Sequence, residues 1–107
     1  MRKLIIFLLI TNFAFAQKIE RIPPELYGQW YNQDLELLII QPNETFTRRN
    51  TEGILASGKL EIVNGELRVI RDDIDDEYDL IFYIGDESFV VAKPRSQQAW
   101  LFYRLGN

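Results

Sequence analysis

Two sets of charged residues are the groups in this chain whose type and spacing suggest chemistry. The first is an acidic run, Asp72, Asp73, Asp75, Asp76, Glu77 and Asp79. Carboxylates at that density can ligate Ca²⁺, draw in a cationic ligand or partner, or hold a solvated loop open by mutual repulsion. The spacing departs from an EF-hand loop, because no glycine follows the acids and no glutamate stands at the twelfth position. A solvated loop is therefore the working expectation, with no metal site assigned. The second set is Arg48, Arg49, Arg71, Lys93 and Arg95. These cations can neutralise the acidic run, or receive the carboxylate of a ligand such as a fatty acid.

Familiar routes to catalysis lack their residues. Histidine and cysteine are both absent. The commonest general base, the commonest transition-metal ligand, thiolate sites and disulfides go with them. No G-x-S-x-G elbow, phosphate-cradling glycine loop or H-E-x-x-H segment occurs. Paired carboxylates can hydrolyse glycosides, but nothing in their spacing sets two of them across a cleft. The expectation is a non-enzymatic protein with no cofactor. Asn43-Glu44-Thr45 fits a glycosylation sequon, which carries weight only in a eukaryotic secretory pathway.

Residues 1–16 read as a cleavable secretory signal. Arg2 and Lys3 supply the basic start, Leu4 to Ile10 a short apolar core, and Ala14-Phe15-Ala16 an A-x-A cleavage site, with Gln17 as the new N-terminus. The apolar stretch is too short to span a bilayer, and no later segment is longer, so no membrane span is expected after its removal. A secreted or periplasmic location follows, without a lipid-anchor cysteine. The full chain carries a formal charge of −4, and loss of Arg2 and Lys3 makes it −6. An acidic surface of this kind repels phosphate backbones, which argues against nucleic acid as a partner.

Residues 17–27 form a lead-in whose Pro23-Pro24-Glu25-Leu26 can make at most a short helical turn. Residues 28–107 read as one all-β domain, with short apolar and aromatic runs alternating with turn residues. Eight strands are predicted: Gly28–Tyr31, Leu35–Gln41, Thr45–Arg49, Ile54–Val63, Glu66–Arg71, Tyr78–Ile84, Ser88–Lys93 and Ala99–Leu105. Asn64-Gly65 is a strong hairpin signal, since both residues accept the positive φ of a type I′ turn. Short connections imply a sequential antiparallel meander. Alternation places Ile54, Ala56, Gly58, Leu60, Ile62, Phe46, Leu67 and Val69 on one apolar face. A small up-and-down barrel of about eight short strands disposes of that face and of the sheet edges together.

Gly28-Gln29-Trp30 opens the first strand just after a helical turn, and Arg104 closes the last. This arrangement resembles the lipocalin group of calycins, in which a G-x-W signature begins the barrel and a late arginine packs across the tryptophan. The stretch Gln41-Pro42-Asn43-Glu44-Thr45-Phe46-Thr47 is similar to the second hairpin of small bacterial lipocalin-like domains. The resemblance implies a closed barrel, a structural closure pair Trp30 and Arg104, and binding of a small hydrophobic molecule. A guanidinium on an indole face contributes about 0.5 to 2 kcal/mol. The chain has no T-D-Y signature and is shorter than a full lipocalin, which implies a small interior.

In a meander the two ends can be assigned. The Pro23 to Tyr27 segment, Pro42 to Glu44, Asn64-Gly65, Gly85 to Glu87 and Arg104 share a closed end. Asn32 to Asp34, Asn50 to Gly53, Asp72 to Glu77 and Pro94 to Gln97 share the mouth, where binding residues usually sit. The late strands are apolar on both faces. Ile81, Tyr83, Val90, Leu101 and Tyr103 then point outward as a candidate interface for a protein partner or a homodimer.

Two functions remain. The first is a carrier whose cavity is lined by Phe46, Leu67, Val69, Phe82, Val91 and Trp100. The second is an interaction module whose barrel is filled by Trp30, Phe82, Trp100 and Phe102, and which binds through its outer strip or acidic loop. Chain length favours the filled interior, and the family resemblance favours the hollow one. An interior of about 300 Å³ or more separates them.

Overall fold

A computed structural model describes residues 17–106; the predicted secretory signal lies outside them. The strands are β1 (Ile19–Glu20), β2 (Gly28–Tyr31), β3 (Leu37–Ile40), β4 (Thr45–Asn50), β5 (Gly53–Val63), β6 (Glu66–Arg71), β7 (Glu77–Ile84), β8 (Ser88–Ala92) and β9 (Ala99–Arg104). A single 3₁₀ turn, Pro24–Leu26, precedes β2. Sequential hairpins run from β2 to β9, β9 returns to β2, and every pairing is antiparallel. The fold is a closed eight-stranded up-and-down barrel. Closure leaves its wall without a free edge.

Each of the eight predicted strands is present, with ends shifted where side chains intervene. The second begins at Leu37 rather than Leu35. The Asn32 carboxamide oxygen accepts the backbone N–H of Asp34 (3.0 Å) and Glu36 (3.1 Å), and Leu35 adopts φ 61°. The side chain thus holds the chain in a turn for longer than the apolar pattern suggests. Ile54 does not share the inward face with Ala56. Register shifts between Arg48 and Arg49, which pair with Ala56 and Ile54, so Leu55 is an extra residue. A bulge of this kind reverses facing on one side of it, and Ile54 is 64% exposed.

The lead-in contributes a ninth strand that alternation could not reveal. β1 pairs Ile19 with Val63 and Glu20 with Ile62, where β5 has outrun β4. The Asn64-Gly65 turn has φ of 52° and 83°, as a type I′ turn requires. Its Asn64 bonds Lys18 through both backbone and side chain. Glu44 then accepts the Ile22 N–H at 2.9 Å. These ties seat Ile22 and Leu26 in the closed end, both wholly buried.

Trp30 organises that end. It is fully buried, its Nε1 donates to the Leu26 carbonyl at 2.9 Å, and it meets Phe89 edge-on at 4.6 Å between centroids. Phe89 stacks in turn on Phe102 at 5.0 Å. The Arg104 guanidinium lies 4.1 Å from the Trp30 ring centre and donates to the carbonyls of Glu25 (2.6 Å) and Tyr27 (3.2 Å). One side chain therefore joins the last strand, the first barrel strand and the 3₁₀ turn. Gly28 stands at φ 127°, and a Cβ there would meet Arg104 Nη1 at 3.1 Å. The glycine of the G-x-W stretch is accordingly a matter of space and backbone geometry.

Candidate functional site

Above the aromatic floor the barrel is hollow. The cavity measures about 430 Å³ and opens at the end opposite the 3₁₀ turn. The expectation of a filled interior, which rested on chain length, is corrected here. Trp30, Phe89 and Phe102 gather at the closed end instead of spanning the barrel, and mostly aliphatic residues, with Phe46, Tyr78 and Trp100, line the wall above them. Short strands limit the depth of a barrel, whereas eight of them set its width.

Of the predicted cavity residues, Phe46, Leu67, Val69, Val91 and Trp100 line the space. Phe82 does not; it is partly buried and packs against the core cluster from near the closed end of β7. Trp100 is 37% exposed because it sits beside the mouth, at the start of β9. The sequence reading missed Leu26 as the floor, and Leu38 and Ile40 as wall. At the rim, Tyr78 and Gln98 were missed, whereas Arg48, Lys93 and Asp76 belong to the charged sets that the sequence singled out. Strand parity could have found Leu38 and Ile40, since they stand opposite Arg48 and Phe46. Leu26 carried no such signal, because its inward direction is set by the 3₁₀ turn.

The rim is electrostatically mixed. Arg48 is steadied by Glu36 at 3.5 Å, and Glu36 accepts from the buried Asn32 Nδ2 at 2.9 Å. Lys93 reaches the cavity with no carboxylate within 4 Å among the described residues. Arg49 and Arg95 are exposed and lie outside the cavity lining. The five predicted cations are thus not one cluster. Arg48 and Lys93 belong to the cavity, and Arg71 belongs to the acidic loop.

That loop is largely folded back on the barrel. Asp73 takes two hydrogen bonds from Arg71, Asp72 accepts the Ser57 hydroxyl, and Asp79 is gripped by Arg68 through Nε (2.7 Å) and Nη2 (3.1 Å). The Arg71 hydrogen bonds hold the exposed Asp73 carboxyl below the usual carboxylate range, and the Arg68 bonds do the same for Asp79. Among the described residues, no three carboxylates come together as a metal site. The acids of the loop serve mainly its own architecture.

The Asp79 pair has a pH consequence. Its carboxyl returns to about 3.9 in the unfolded chain, above its native value. The pair therefore stabilises the fold at pH above about 4 and loses that contribution as pH falls through the lowered native value. Asp79→Asn should cost about 1 kcal/mol at pH 7, discounted for the pair's partial exposure. It should also flatten the decline of the urea midpoint as pH falls below about 4. An acid limb as steep as that of the unaltered protein would remove Asp79 from this role.

Outside the barrel, Ile81 and Tyr83 are exposed, Tyr103 is partly so, and Val90 and Leu101 are half-buried. All five face outward, as alternation predicted. Tyr31 joins them, its ring 5.5 Å from that of Tyr103.

No helix among the described residues is long and apolar enough to cross a membrane. No protein-family model, curated protein or solved structure matches the chain. Fold and site together define a closed β-barrel with an apolar interior open at one end.

Proposed function

We propose that this chain is a lipocalin-like, non-enzymatic binding protein that takes one small, mainly apolar molecule into its barrel. The observation that carries this reading is the 430 Å³ open cavity with its aliphatic and aromatic wall. Small-molecule sites occupy roughly 300 to 1,000 Å³ and are mostly apolar with a few polar groups to orient the ligand. Arg48, Lys93, Gln98 and Asp76 stand at the mouth, where a ligand's polar end would remain hydrated. The G-x-W stretch and the Arg104–Trp30 stack support the lipocalin-like assignment. The A-x-A leader supports a secreted or periplasmic location, and the acidic charge argues against nucleic acid.

The test is native mass spectrometry of the protein recovered from its host's periplasmic or secreted fraction, paired with titration by 1-aminonaphthalene. Bound mass released on denaturation, or saturable probe fluorescence, is the expected result. Ala56 is a buried wall residue. Ala56→Phe should fill the space and weaken probe binding by about tenfold or more, as loss of an apolar ligand's burial requires. A bare protein whose weak probe signal is the same in both forms would exclude the carrier function.

A further inference from the structure

We propose that the molecule taken into the barrel carries one negative charge at its outer end, as a carboxylate does, and that Arg48 and Lys93 receive it at the mouth. This rests on the carrier function and names its ligand class: an apolar body with a single anionic head. Charge divides by sign across the barrel wall. On the eight strands of the ring, Glu61, Glu66, Glu77 and Asp79 stand at outward positions, by alternation with the buried Leu60, Ile62, Leu67 and Leu80. The charged residues at inward positions are Arg48, Arg71 and Arg104. A chain with 16 acids against 12 bases thus turns only positive charge inward from those strands.

Two of the three arginines are engaged. Arg71 gives Nε and Nη2 to Asp73, and Arg104 gives its guanidinium to two carbonyls and the Trp30 ring. Arg48 differs. Its side chain lines the cavity, and among the described residues its guanidinium donates from Nη1 to Glu36, at a long 3.5 Å. A guanidinium has five N–H donors, so most of the fork is left for a ligand. Glu36 is itself fixed by the buried Asn32, which donates to its carboxylate at 2.9 Å and accepts its N–H at 3.1 Å. That relay orients Arg48 before a ligand arrives, which reduces the ordering that binding must impose.

Lys93 stands on the opposite wall, since β8 lies across the ring from β4. β8 ends at Ala92, yet the Lys93 N–H still bonds the Gln98 carbonyl at 3.1 Å. The inward series Phe89, Val91, Lys93 therefore continues to the rim, and all three line the cavity. Asp76 is the one carboxylate in the lining, and its Oδ1 accepts the Glu77 N–H at 2.9 Å. The lining thus has one positive charge in excess, which matches a monoanion rather than a doubly charged phosphate. The other acids of the mouth loops lie outside the lining. Asp72 and Asp73 are tied to Ser57 and Arg71, and Asp34, Glu52 and Asp75 are exposed, where salt screens them. Below the rim the wall is aliphatic and aromatic, and an unpaired charge buried there is costly. The anionic head must stay between the two cations.

Calorimetric titration of the protein as processed by its host tests this with two probes of one shape. 1-Naphthoate is charged at pH 7 and 1-naphthamide is not. The expected result is that both bind, naphthoate more tightly by about tenfold or more, as charge-assisted hydrogen bonds at a half-exposed site supply. Lys93→Gln changes an exposed residue, so the fold survives. It should cut naphthoate affinity by about three- to tenfold and spare the amide. Arg48→Gln should do the same. Arg49→Gln removes an equal charge from outside the cavity and should alter neither probe. Naphthamide binding as tightly as naphthoate overturns the proposal. So does a naphthoate preference that Lys93→Gln and Arg48→Gln both leave untouched, or that Arg49→Gln lowers equally. Failure of both probes to bind overturns it too, and the 1-aminonaphthalene titration then reports on the carrier function separately.

Discussion

Gly58→Ala should destabilise the barrel by about 3 kcal/mol or more, the upper range for forcing atoms into a packed interior. The reason lies at the sheet's corner. Gly58 is one of two β5 residues, with Lys59, that pair with both neighbours; its partners are Phe46 on β4 and Arg71 on β6. A Cβ there would fall inside the van der Waals envelope of the Ile70 carbonyl oxygen and 2.9 Å from its carbonyl carbon. Both atoms belong to backbone held by the sheet, so neither can swing aside like a side-chain tip. The strand must shift, and with it the β5–β6 hairpin that is part of the barrel wall. For a domain of this size the expected fall in melting temperature is about 15 °C or more, read by circular dichroism. A fall of under about 4 °C, equivalent to less than 1 kcal/mol, would show that the corner can open at little cost.

Trp30→Ala should cost about 3 to 5 kcal/mol, as expected for truncating a large buried aromatic residue. Three separate contacts disappear together: the edge-on packing with Phe89, the hydrogen bond to Leu26 and the platform under Arg104. Arg104→Ala should cost less, about 2 kcal/mol, because Trp30 stays buried while the charged hydrogen bonds to two carbonyls and the stacked cation are lost. The informative quantity is the double variant. If the stack is a genuine coupling, the two losses should fall short of additivity by about 0.5 to 2 kcal/mol in urea unfolding. Strict additivity would mean that Arg104 acts through Glu25 and Tyr27 alone.

How much of the site could be read without coordinates follows from which interactions are local. Phe46, Leu67, Val69 and Val91 were legible because a strand's two-residue period assigns each to a face. Phe82 obeyed the same rule and still misled, since facing inward places a residue in the barrel but not at a given height. The mouth was legible from strand direction, and Arg48, Lys93 and Asp76 with it, but the contacts that orient them were not. Arg48 is set in place by Glu36 and the buried Asn32, a relay that no spacing announces. The acidic run was conspicuous in sequence and proved largely internal to its own loop: Arg71 bonds Asp73 from two positions away, while Ser57 and Arg68 reach Asp72 and Asp79 from farther along the chain.

The amino-acid order by itself determined the all-β class, the meander and the Asn64-Gly65 turn. Each depends on period-two patterning or on residue types that tolerate one backbone geometry, whereas the pairing of Trp30 with Arg104 was implied by the resemblance that Gly28-Gln29-Trp30 carries. Tertiary structure alone decided whether the interior was filled. A barrel's cavity is the difference between the ring's width and the volume of the side chains at each level, and three aromatic residues stacked at one end leave the other end open. It also decided that Tyr31 would meet Tyr103, because barrel closure makes neighbours of β2 and β9, which stand far apart in sequence.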